Sequence, residues 1–101
     1  MRQNFDAVSL QVGEGARRLG ERIRLARKAR ALTLADMERL CRIHRTTLGR
    51  LERGDLGVSL GTLLSVLEVL NEFADIELLL SQPDTPKHRR GAAVPALDQE
   101  F

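Results

Sequence analysis

The sequence predicts an all-α domain centred on two short helices joined by a tight turn. Three observations carry this. Apolar residues recur at helical spacing from Leu19 to Leu70. Helix-capping residues, Thr33 and Ser59, stand just ahead of two of these apolar stretches. The stretch Thr46-Thr47-Leu48-Gly49-Arg50-Leu51-Glu52-Arg53 has polar residues at its start, two apolar anchors and Gly54 as a stop.

Residues 1–14 have mixed polarity and no helical period, and a flexible arm is expected there. Val8, Leu10 and Val12 alternate, so a short strand is the alternative. From Glu14 the pattern turns helical. Leu19, Ile23 and Ala26 share one face, and Arg17, Arg18, Arg22, Arg24, Arg27, Lys28 and Arg30 surround it. Thr33 starts a second helix, its hydroxyl capping the free amides. Asp36 stands at the third helical position, in a weaker form of the capping box. Leu32 is placed to staple onto Met37, while Met37, Leu40 and Cys41 form the expected buried stripe.

The third helix begins near Arg45, with Leu48 and Leu51 turned inward and Gly54 supplying a left-handed stop. Ser59 caps a fourth helix, where Leu60, Leu63, Leu64, Leu67 and Leu70 recur at three- and four-residue spacing. Asn71 is the expected terminator. Residues 73–80 fit two readings. Phe73, Ile76, Leu79 and Leu80 suit a short helix; Ile76, Leu78 and Leu80 suit a strand. Proline, glycine and the Lys87-His88-Arg89-Arg90 cluster make residues 82–101 an expected disordered tail, leaving residues 15–81 as the folded domain.

At 101 residues and 43% hydrophobic, the chain has one small core. Three Phe and no Trp or Tyr make that core aliphatic. No run reaches membrane-spanning length, and no secretory signal is read at the N-terminus. A single cysteine excludes an internal disulfide and fits a reducing cytoplasm, so a cytoplasmic, nucleoid-associated protein is expected. Cys41 reads as a small core hydrophobe rather than a redox switch. His44, His88 and Cys41 lack metal-site spacing. There is no glycine-rich phosphate loop and no nucleophile, base and orienter set. Neither catalysis nor a cofactor is expected.

The net charge of +2 conceals a strong polarity. Residues 15–54 hold twelve Arg or Lys against four acids, a local +8; residues 55–86 hold six acids and no Lys or Arg, a local −6. The basic half points to a polyanion. Two short helices meeting at a tight turn form a helix-turn-helix, whose second helix can lie in a DNA major groove.

The motifs Arg24-x-x-Arg27-Lys28 before Leu32-Thr33, then Thr46-Thr47-Leu48-x-Arg50-Leu51-Glu52-Arg53-Gly54, resemble the Cro/repressor-type helix-turn-helix family. The resemblance runs from about Leu19 to Leu70. It implies the five-helix λ-repressor-like DNA-binding fold, with a short C-terminal strand at the dimer interface in some members. It implies that Arg27 pairs with Glu52 as a structural pin. It places base reading on Arg45, Thr46 and Arg50, and phosphate contact on Thr47 and Arg53. Thr33 and His44, at the starts of the second and third helices, join them as candidate phosphate contacts. The chemistry agrees: arginine forks two hydrogen bonds onto guanine O6 and N7, and threonine offers a hydroxyl or a methyl to thymine.

Three positions depart from the family pattern. Leu34 stands where glutamine usually grips a phosphate, Glu38 where a small residue is usual, and Arg42 where glycine is usual in the turn. Such folds usually bind double-stranded DNA as homodimers on pseudo-palindromes. The expected dimer surface is Leu67, Leu70, Phe73, Ile76, Leu78 and Leu80. The compact form with Val58-Ser59-Leu60 is similar to HipB-type antitoxins, dimeric autorepressors whose partners are HipA-like kinase toxins. A second reading is a protein-interaction module that sequesters such a partner, with DNA binding secondary. Lys87-His88-Arg89-Arg90 and Phe101 are the tail residues that would engage it.

Overall fold

The computed structural model describes residues 8–87. Four α-helices, α1 (Leu10–Ala29), α2 (Leu34–Cys41), α3 (Arg45–Glu52) and α4 (Leu60–Val69), are followed by a 3₁₀ helix, Phe73–Leu78. There is no strand among the described residues. The 3₁₀ helix resolves residues 73–78 as helical, and the C-terminal strand of some relatives does not form there. His88, Arg89, Arg90 and Phe101 of the proposed tail lie outside the described residues, as do residues 1–7 of the arm.

α1 begins four residues before Glu14. Ser9 caps it, its Oγ accepting from the Val12 amide at 3.2 Å, so Leu10 and Val12 are helical rather than arm or strand. A serine cap is a local signal stronger than the two-residue alternation around it. α2 opens with a complete capping box. The Asp36 amide donates to Thr33 Oγ1 at 3.0 Å, and the Thr33 amide donates back to Asp36 Oδ2 at 2.8 Å. Ser59 caps α4, its Oγ accepting from the Thr62 amide at 3.1 Å.

The helix ends share one chemistry. After α1, α3 and α4 the chain turns left-handed at Ala31, Gly54 and Asn71. In each the next amide reaches back five residues: Leu32 to Arg27 O, Asp55 to Arg50 O, Glu72 to Leu67 O. These are Schellman closures, satisfying carbonyls the helix leaves free. α2 closes instead on Arg42, at φ 60° and ψ 38°. The left-handed cost expected of a non-glycine residue in that turn is therefore borne. Arg42→Gly is expected to raise stability by about 1 kcal/mol, read as a higher urea midpoint at unchanged slope.

The core is Ile23, Met37, Leu48, Leu51, Val66 and Leu70. α3 packs on α1 and α2, α2 also on α4, and α4 on the 3₁₀ helix. Leu40, expected on the buried stripe of α2, is half exposed. The stripe centres on Leu34, Met37 and Cys41, at i, i+3 and i+7, and Leu40 falls off its edge. In α4, Thr62, Val66 and Leu70 face the core, while Leu60 is exposed and Leu63, Leu64 and Leu67 are half-buried. The leucine stripe therefore only borders the core. Leu63 and Leu67 line an apolar groove of about 490 Å³ with Leu19, Ile23, Ile76 and Leu79.

Candidate nucleic-acid interface

α3 offers one face to the core and the other to solvent. Leu48, Gly49 and Leu51 are buried; Arg45, Thr46 and Arg53 are exposed, and Thr47 and Arg50 partly so. An eight-residue helix has room for this division because its apolar anchors are three apart. The sequence-proposed base readers Arg45, Thr46 and Arg50 thus share the outward side, with Thr47 and Arg53 on the same helix and its cap. Thr33 and His44 stand at the N-caps of α2 and α3.

The turn is held at both ends. His44, a poor cap by residue type, serves as one: Nδ1 accepts from the Thr46 amide at 3.1 Å. The proton must then sit on Nε2, which is left as a donor. Ile43 packs against the core from the turn.

The base of α3 is pinned. Arg27 Nε donates to Glu52 Oε2 at 2.7 Å, Nη2 to Glu52 Oε1 at 3.0 Å, and Nη1 to the Leu32 carbonyl at 2.9 Å. The side chains of both partners are about nine-tenths buried. The Glu52 hydrogen bonds raise the Arg27 pKa above its already high ordinary value. One guanidinium so joins α1, the α1–α2 turn and α3. Beside it α1 and α3 approach backbone to backbone. A Cβ on Gly20 would lie 2.5 Å from the Glu52 carbonyl oxygen and 2.6 Å from that of Leu51. Nothing in the helical period marked Gly20; a glycine inside an otherwise good helix was the available signal.

Glu38, which replaces a small residue of the family pattern, turns toward α3. Its Oε1 accepts from Arg45 Nε at 2.8 Å. Asp55 Oδ2 accepts from Arg50 Nε at 2.8 Å, and Asp55 Oδ1 from the Gly57 amide at 2.7 Å. Neither carboxylate was marked by sequence reasoning as belonging to the site. The Arg45 hydrogen bond holds the Glu38 pKa below its ordinary value, and the Arg50 bond does the same for Asp55. The Thr33 backbone bond lowers that of Asp36.

These depressed carboxylates set a pH dependence. A folded-state pKa below the unfolded one contributes stability that is complete above the unfolded value and lost as pH falls through the folded value. Stability is therefore expected to hold above about pH 5 and to fall progressively in more acid solution. Asp36→Asn should flatten that acid limb, measured as urea midpoints across the pH range.

Leu70 does not belong to an outer surface. It is 1% exposed within the single chain, at the end of the core face of α4. Of the remaining proposed dimer residues, Leu67 and Ile76 are half-buried in the groove and Phe73, Leu78 and Leu80 are exposed. The Cys41 thiol is pushed up in pKa by burial, which keeps it protonated and poorly nucleophilic. Among the described residues no three His, Cys, Asp or Glu side chains are grouped to hold a metal ion. No described helix is long and apolar enough to cross a membrane.

A family model described as a helix-turn-helix domain matches residues 18–77. That span takes in most of α1, all of α2, α3 and α4, and the 3₁₀ helix up to its last residue but one. No curated protein and no solved structure matches the chain.

Proposed function

The chain belongs to the helix-turn-helix domain family, and from that premise we propose that it is a sequence-specific transcriptional regulator that reads operator DNA through α3. One observation carries this reading. Arg45, Thr46 and Arg50 share the outward side of a helix whose inward side is locked into the core. That side belongs to the half of the chain with a local charge of +8, from twelve Arg or Lys against four acids. Arg45 and Arg50 contact guanine edges and Thr46 a neighbouring base, while Thr47, Arg53, Thr33 and His44 fix the register on phosphates.

One copy spans only a few base pairs, so the regulator acts as a homodimer on half-sites about 34 Å apart. The apolar groove between α1, α4 and the 3₁₀ helix supports this, as do the exposed Phe73, Leu78 and Leu80, which belong to the stretch free of positive charge from residue 55 to residue 86. The finer role is autorepression as the antitoxin of a HipA-like kinase toxin. It rests on the resemblance of the compact form and of Val58-Ser59-Leu60 to HipB-type antitoxins. Co-purification of one stoichiometric kinase-like protein from the native cell would support it.

Selection of bound duplexes from a random pool tests the main reading. A two-fold symmetric consensus is the expected result. Failure to enrich any sequence overturns it and favours a protein-interaction module.

A further inference from the structure

We propose that Glu38 and Asp55 are positioning residues that aim the terminal nitrogens of Arg45 and Arg50 at base edges. This rests on the reading of those two arginines as base contacts. The two ion pairs have the same form: each carboxylate takes the Nε–H at 2.8 Å. Among the described residues no hydrogen bond occupies Nη1 or Nη2 of either arginine. The other exposed arginine–carboxylate pairs are built the opposite way: Arg24 uses Nη1, and Arg30 and Arg39 use Nη2. Those pairs consume the end of the guanidinium. The pairs at Arg45 and Arg50 hold its side and leave its end free.

The distinction matters for guanine. Its O6 and N7 accept two near-parallel N–H bonds, which the free Nη1/Nη2 edge can supply. An untethered arginine must freeze several torsions to present that edge, and a bond at Nε removes much of this freedom beforehand. The carboxylate also repels phosphate oxygens near the guanidinium, which disfavours a register in which the arginine merely neutralises backbone charge.

Both supports are themselves held. The Gly57 amide fixes the second Asp55 oxygen at 2.7 Å. The Glu38 side chain is 33% exposed against 57% for Arg45, so the support lies deeper than the group it holds. Glu38 reaches Arg45 from α2 and Asp55 reaches Arg50 from beyond α3, so the two supports are independent.

The test uses the full chain and a consensus duplex recovered by selection with the wild-type protein. Each base pair is changed singly, and discrimination is the affinity ratio of consensus to changed duplex. Phosphate terms cancel in that ratio. Arg45→Ala and Arg50→Ala identify the base pair each arginine reads. Glu38→Ala is expected to reduce discrimination roughly fivefold or more at the Arg45 pair and leave the Arg50 pair unchanged; Asp55→Ala should do the reverse. Glu38→Gln and Asp55→Asn keep an acceptor oxygen and should retain most of the discrimination. The Asn variant also keeps the acceptor for Gly57.

Wild-type discrimination in both alanine variants, with loss in the arginine variants, overturns the positioning role alone. Equal loss at both base pairs in either alanine variant overturns it in favour of a general structural effect. Unchanged discrimination in Arg45→Ala and Arg50→Ala overturns the base-reading assignment and the positioning role with it.

Discussion

Glu52→Ala is expected to destabilise the domain by about 3–5 kcal/mol, a large share of the roughly 5–15 kcal/mol that holds a small domain together. Arg27 is 8% exposed in the intact domain, and the substitution removes both carboxylate acceptors of its guanidinium, leaving only the Leu32 carbonyl as partner. Burying a charge without its counter-charge is the costly part, more than loss of the hydrogen bonds themselves. The pair also ties the base of α3 to α1, beside the Gly20 contact. The reading helix should therefore loosen before the rest of the core. Thermal unfolding should show a midpoint more than about 10 °C below wild type. Replacing both partners together, Arg27→Met with Glu52→Leu, should recover much of the loss, because no orphan charge remains. A near-native midpoint for Glu52→Ala alone would show that the pin is not structural.

Arg45→Ala with Arg50→Ala is expected to do the opposite: leave the fold intact and abolish recognition. Neither side chain contributes to the core, and the ion pairs they make are exposed, where such pairs contribute little to folding. Affinity for a selected consensus duplex should fall about 100-fold or more if each arginine makes a bidentate guanine contact. Affinity for random duplex should fall far less, since most of the basic half remains. Arg53→Ala should differ in kind, weakening all DNA alike and lowering the salt dependence by about one ion. The readout is binding to consensus and random duplexes over a salt series, with circular dichroism to establish the fold. Undiminished binding of the double variant to the consensus would refute base reading by these residues.

The site was legible in part. Arg27 and Glu52 are 25 residues apart, and only family resemblance paired them. Arg50 was legible as an outward residue from helical period, which turns it away from Leu48 and Leu51; Arg45 stands three residues before Leu48, and only the family resemblance marked it. Their carboxylate partners were not. Glu38 looked like a misfit at a close helix contact, and its direction depends on the left-handed turn at Arg42 that swings α3 across α2.

What the sequence by itself determined is the set of helices and most of their ends. Caps at Thr33 and Ser59, the stop at Gly54 and the turn at Asn71 act through bonds spanning at most about six residues, so nearby residue identity is enough. It misplaced the start of α1, where weak alternation at Val8, Leu10 and Val12 hid the cap at Ser9. Tertiary structure alone decided which apolar residues are spent on the core and which remain outside. Leu70 and Leu78 are the same residue type on neighbouring elements, yet one is 1% and the other 65% exposed. That difference is set by which helix faces meet, a property of the packing of α2, α3 and α4 that no local pattern carries. The same packing brings Glu38 on α2 to Arg45 on α3 and so decides how that reading arginine is aimed, whereas Asp55 reaches Arg50 through the local turn at Gly54.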